Sequence, residues 1–124
     1  MALEYHEPRE QLTPAAIDEH RAISSLIEEL EAVAWYNQRA TATSDASLQA
    51  VLEHNRDEEI EHAAMLLEWL RRNVPAFDEN LKTYLFTKAP ITELEEEETG
   101  GGSSEQRTSR TGGDLGIGSM RKEE

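Results

Sequence analysis

The chain contains no cysteine among its 124 residues. That excludes disulfides, thiolate chemistry, iron–sulfur clusters and cysteine-type zinc sites. Basic residues are also scarce: 12 Lys and Arg stand against 26 Asp and Glu, a net charge of −14. Non-specific nucleic-acid binding runs on Lys and Arg, so no nucleic-acid partner is expected. An acidic surface instead draws in cations. No run approaches the roughly 18 apolar residues that a membrane span requires, so no membrane partner is expected either. The opening Met1-Ala2-Leu3-Glu4-Tyr5-His6 lacks the charged and apolar regions of a signal peptide. The chain therefore reads as cytoplasmic, and at this length as at most one domain.

Residues 1–12 read as a flexible arm. Thr13 before Pro14 then looks like an N-cap with proline at the first helical position. A helical pattern runs from Pro14 to about Ala40 on Ile17, Ile23, Leu26, Ile27, Leu30 and Val33. Thr41 to Asp45 supply a turn. A second helix runs from about Ala46 to Arg72, ended by Asn73 and Pro75. A short third helix is expected from Pro75 to Thr87, with Pro90 closing it. Residues 13–91 thus form an all-α domain, an antiparallel two-helix hairpin plus a short C-terminal helix.

Beyond Thr92 the composition changes to Glu95-Glu96-Glu97-Glu98 and then Gly100-Gly101-Gly102-Ser103-Ser104. Such a segment cannot bury enough apolar surface to offset chain entropy, so residues 92–112 read as a disordered linker. Residues 113–124 follow, with Leu115, Ile117 and Met120 isolated in a polar tail.

Two long helices present one contact face each and do not enclose a core. Small domains bury too little surface to be stable alone. A homodimer forming a four-helix bundle is the economical solution.

The second helix carries the chemistry. Its inward stripe is expected to be Leu48, Leu52, Asn55, Glu59, His62, Leu66 and Trp69, in alternating steps of four and three. Polar residues occupy the middle of this seam, and a buried carboxylate is costly unless paired or metal-bound. Glu59 and His62 stand at i and i+3, on one helix face, roughly 5–6 Å apart at Cβ. Glu-x-x-His is the helical signature of carboxylate-bridged di-iron and di-manganese bundles, which also need a lone Glu from a neighbouring helix. Glu29, at the edge of the Leu26, Leu30, Val33 stripe, is the candidate for it, and taken alone reads as a surface carboxylate. The complete site needs each element twice, and the chain has each once. Two copies would bring four carboxylates and two imidazoles, whose four negative charges balance two divalent ions. Iron, manganese and zinc suit this ligand set, and redox-active iron would allow chemistry with dioxygen. The alternative is a non-catalytic metal-sequestering module or a purely structural helical dimer.

Glu28, Glu31 and Trp35 form a second constellation on the opposite side of the first helix. They read either as a solvated acidic face or as a weak cation-attracting patch, with Trp35 against a neighbouring subunit. Tyr36 reads either as core packing or as a hydrogen-bond partner of a ligand. His20 and His54 read as helix-surface residues, and His6 as part of the arm.

From about His20 to Ile91 the chain resembles the encapsulated ferritins. The likeness is densest in His20-Arg21-Ala22-Ile23, in Glu28 to Tyr36, in His54 to Met65, in Glu68 to Asn73 and in Thr83 to Thr87. The resemblance implies a dimer that recreates a ferritin-like four-helix bundle. It implies a ferroxidase centre at the dimer interface, with iron bound by Glu29, Glu59 and His62 of both chains. Calcium or zinc are possible substitutes on the same ligands. Tyr36 falls close to the site, and Glu28 and Glu31, beside Trp35, fall on an outer iron-attracting site. The resemblance further implies a ring-like decamer of five dimers. An open ring cannot store mineral itself. The tail, with Leu115, Ile117, Gly118, Ser119 and Met120, is similar to the short peptides that dock on the inner wall of encapsulin shells. Methionine at 120 departs mildly from the leucine frequent there. Localisation inside an encapsulin nanocompartment follows as an expectation.

Overall fold

In the computed structural model, residues 4–95 are described. They are helical: α1 (Pro14–Ala42), α2 (Ala46–Asn73) and α3 (Pro75–Tyr84), with a 3-10 turn at Arg9–Gln11. The chain divides into two units after Pro75. The first holds the α1–α2 hairpin.

The helix boundaries follow from local chemistry. Thr13 is extended, and its Oγ1 accepts a hydrogen bond from the Ala16 N–H at 3.0 Å. Pro14 takes the first helical position, where its missing N–H leaves no bond unmade. Asp45 caps α2 in the same way, its Oδ1 accepting from the Leu48 N–H at 2.9 Å. The Thr43 hydroxyl accepts from the Asp45 N–H at 3.2 Å and braces the short turn between the two helices. Val74, extended as a residue before proline must be, ends α2. In the last turns of α2, Arg71 and then Arg72 donate to Glu68 at 2.8 and 2.7 Å. These bonds hold the Glu68 carboxylate down to about 2. The two arginines also complement the negative end of the helix dipole.

The hairpin buries little. Ala22, Ser24 and Ala40 of α1 and Ala63 and Leu70 of α2 are buried. Among the described residues, Leu70 is the one large side chain removed from solvent completely. Leu30, Trp35, Val51 and Met65 each keep more than half of their surface exposed. Three alanines at buried positions let the helices approach closely, and they leave most of the large apolar residues outside.

Several expectations are corrected or refined. The seam from Leu48 to Trp69 is not the hairpin's own core: Leu48, His62 and Trp69 are exposed, and Ala63 and Leu70 are buried instead. One helix covers only one side of another, so the packed line rotates towards α1 and the predicted seam lies along its border. The residues 1–12 are not wholly a loose arm. Tyr5 stacks on His20 with ring centroids 4.4 Å apart, and the Arg9 guanidinium lies 5.8 Å from the Tyr5 ring. His20 is accordingly a stacking partner rather than a plain surface residue.

In the second unit, α3 ends at Tyr84 rather than Thr87. Phe86 takes a left-handed conformation, φ 62°, and stops the helix. Pro90 opens a helical turn over 91–95 instead of closing α3. Its carbonyl accepts from the N–H groups of Glu93 and Leu94 at 3.0 and 3.2 Å, and Leu94 is buried. The expected linker therefore does not begin at Thr92. Its remainder, 96–112, and the docking residues Leu115, Ile117, Gly118, Ser119 and Met120 lie outside the described residues.

Candidate metal centre

Glu29 sits midway along α1, and Glu59 and His62 lie one turn apart on α2. The antiparallel hairpin brings the three together. Each offers one ligand atom, and these atoms all lie within 4.8 Å of one another. His62 Nδ1 is 3.1 Å from Glu59 Oε1 and 3.6 Å from Glu29 Oε1. Ligand atoms about 2.0–2.2 Å from a common divalent ion lie about 3 Å apart at its coordination edges, so the spacing suits one ion. The carboxylates are three-quarters covered and the imidazole is half open, with 46% of its surface exposed. That open side is where further ligands would enter.

Two carboxylates and an imidazole this close shift one another's protonation. Glu29 is pushed up, first by its hydrogen bond with Glu59, then by burial and by the Glu59 charge, with His62 opposing. Glu59 is pushed down, first by the same bond with Glu29, then by its bond to His62 and the His62 charge, with burial opposing. The bond between the two carboxylates thus favours the protonated form at Glu29 and the ionised form at Glu59. His62 is pushed up from 6.5, first by its bond to Glu59, with burial opposing and both carboxylate charges adding.

These shifts carry a sign. A raised imidazole contributes stability to the metal-free chain that is fully present below 6.5 and is lost as pH rises through the raised value. A metal needs neutral imidazole and ionised carboxylates, so its affinity moves the opposite way. Zinc affinity is expected to be weak below 6.5 and to climb until the raised His62 value is passed. Titration calorimetry across about pH 5 to 8 checks this, with proton uptake by the buffer as a second readout. A flat profile would contradict it.

The other predicted residues do not join this cluster. Glu28 is exposed and Glu31 half-buried. Among the described residues the one converging group of three potential ligands is Glu29, Glu59 and His62. Trp35, exposed, lines a shallow groove with Gln38 and Arg39. Tyr36 is half-buried, and the Arg39 guanidinium stands 5.7 Å from its ring centroid. His54 pairs loosely with Glu58 at 3.7 Å on the outer face of α2.

Two cross-helix bonds between the ligand cluster and the turn escaped the sequence. Arg56 Nη1 donates to Asn37 Oδ1 at 3.0 Å, and Gln49 Nε2 donates to the Ala40 carbonyl at 2.8 Å. Neither residue type announces such a role without knowledge of which helix faces it.

The EncFtn-like family matches residues 4–88. A ferritin-like protein of Thermotoga maritima is 61% identical over 117 residues, covering 94% of this chain and 97% of that protein. An encapsulated ferritin-like protein of Rhodospirillum rubrum is 53% identical over 123 residues, covering 95% of this chain and 88% of that protein. Among solved structures, the crystal structure of protein ne0167 from Nitrosomonas europaea is 63% identical, with a TM-score of 0.68. That likeness covers 70% of this chain and 96% of the other.

Proposed function

The chain belongs to the EncFtn-like family, and from that premise we propose that it is a ferroxidase whose substrate is ferrous iron. The observation that carries the reading is the convergence of Glu29, Glu59 and His62 within one chain as half of a two-metal site. A second copy supplies the other half. The exposed Leu30, Leu48 and Trp69 give a second hairpin an apolar surface to cover.

In the dimer, two ferrous ions lie among four carboxylates and two imidazoles. The ions take Glu29 and Glu59 as carboxylates and His62 as neutral imidazole, so any proton on these groups leaves as the ions enter. The carboxylates stabilise the higher charge of the ferric product, and dioxygen takes up the electron each iron loses. Glu28 and Glu31, beside Trp35, concentrate cations outside the centre, and Tyr36 stands near it. Calcium or zinc occupy the same oxygen and nitrogen ligands as substitutes.

The dimers assemble further, into a ring of five in this reading. The encapsulated relative from Rhodospirillum rubrum supports a shell partner. The tail residues Leu115, Ile117, Gly118, Ser119 and Met120 are the docking segment for an encapsulin wall. Iron oxidised at the interface is mineralised within that compartment. Aerobic ferrous oxidation with oxygen uptake, parent against Glu59→Ala, tests the reading. Metal binding without oxygen uptake would leave a sequestering module.

A further inference from the structure

Glu29 comes from one helix and Glu59 and His62 from the other, so the half-site exists only in one register of the hairpin. Small side chains at Ala22, Ser24, Ala40 and Ala63 make up most of the buried line, with Leu70 the one large residue in it. Shallow ridges resist axial sliding poorly. A slip of one residue moves a helix about 1.5 Å. Ligand atoms 3.1 and 3.6 Å from His62 Nδ1 do not tolerate that, because a functional site must be held within about 0.5 Å.

Two polar bonds oppose the slip. Ala40 lies eleven residues beyond Glu29 in α1, and Gln49 lies ten before Glu59 and thirteen before His62 in α2. The Gln49–Ala40 bond is therefore nearly level with the antiparallel register that aligns the ligands. The Arg56–Asn37 bond is slanted. Arg56 stands one turn before Glu59, and its long side chain reaches along the axis to Asn37. A guanidinium offers donors only, so Asn37 Oδ1 is necessarily the acceptor. Asp57 accepts from Arg56 Nε at 3.1 Å and aims the fork. One level and one slanted bond together resist both sliding and rotation.

We infer that Asn37, Arg56 and Gln49 are positioning residues that set the hairpin register and so align Glu29 with Glu59 and His62 for metal. The inference rests on the metal-site reading above. None of the three belongs to the converging ligand group, and the groups that shift Glu59 are Glu29 and His62. Their effect is geometric.

Cobalt(II) is the probe. Its affinity and its d–d absorption report ligand number and geometry without any turnover. Asn37→Ala is expected to weaken cobalt binding about tenfold, the low end of what supporting residues around a metal contribute. The d–d band should change shape while helicity by circular dichroism stays that of the parent. Asn37→Asp keeps an acceptor for Arg56 and should restore both affinity and band. Gln49→Ala repeats the test at the other bond, and carries it alone if Asn37→Ala loses helicity. Parent-like affinity and band in Asn37→Ala, with Glu59→Ala losing cobalt, overturn the inference alone. So does a loss that Asn37→Asp fails to restore. Parent-like cobalt binding in Glu59→Ala overturns the metal reading itself, and the inference with it.

Discussion

Glu59→Ala should lose fast ferrous oxidation, by about a hundredfold or more. Residues that merely support a metal's ligands contribute about ten- to a hundredfold, and Glu59 is placed to be a ligand. A dimer would lose two of six protein ligands through one substitution. Removal also deprives Glu29 of its hydrogen-bond partner, and His62 of its closest carboxylate at 3.1 Å. The fold should survive. Alanine is the best helix former, a few tenths of a kcal/mol better than glutamate in a helix interior, and the Glu59 side chain is part of no apolar core. Stopped-flow absorbance and oxygen uptake give the rate, and circular dichroism checks the helices. A rate equal to the parent's would remove Glu59 from the chemistry.

Ferrous ion should drive dimer formation. Without metal, apposing two half-sites places four carboxylates close together. A like-charge pair at 4 Å costs about 1 kcal/mol in water and about 4 kcal/mol at an effective dielectric of 20. Glu29, pushed up by Glu59, takes a proton more readily as pH falls and so relieves part of this at low pH. Two divalent ions cancel the four charges and bond to both chains. Because metal would bind the dimer far better than the monomer, mass action shifts the equilibrium toward the dimer. Dimerisation is expected to tighten at least tenfold with anaerobic ferrous ion at neutral pH, read by sedimentation velocity. The gain should shrink below pH 6.5, where His62 is protonated. Identical sedimentation with and without metal would contradict the shared site.

Much of this was legible in the residues. Thr13-Pro14 and Asp45 marked the starts of α1 and α2 because capping is local chemistry. The Glu59–His62 pair was legible because i and i+3 share a face of any helix. Glu29 followed from its place beside the Leu26, Leu30 stripe, and the structure brings it within 3.6 Å of His62. What stayed hidden depended on which helix faces which. Heptad spacing located a seam on α2, but a single neighbour packs on Ala63 and Leu70 and leaves Leu48 and Trp69 at the border. Arg56 and Asn37 are ordinary surface types until the hairpin register makes them partners. Phe86 gave no sign of a left-handed turn, because that conformation favours glycine or asparagine. The acidic run beginning at Glu95 masked the helical turn over 91–95, whose first bonds are made by the Pro90 carbonyl.

The most direct test of a metal site completed by a second copy is the count of ions on each species. Native mass spectrometry of the full chain, loaded anaerobically with ferrous ion, resolves monomer from dimer and weighs the iron on each. Two irons per dimer and none retained by the monomer are expected, with both lost in His62→Ala. Iron held by the monomer as firmly as by the dimer would contradict the shared centre.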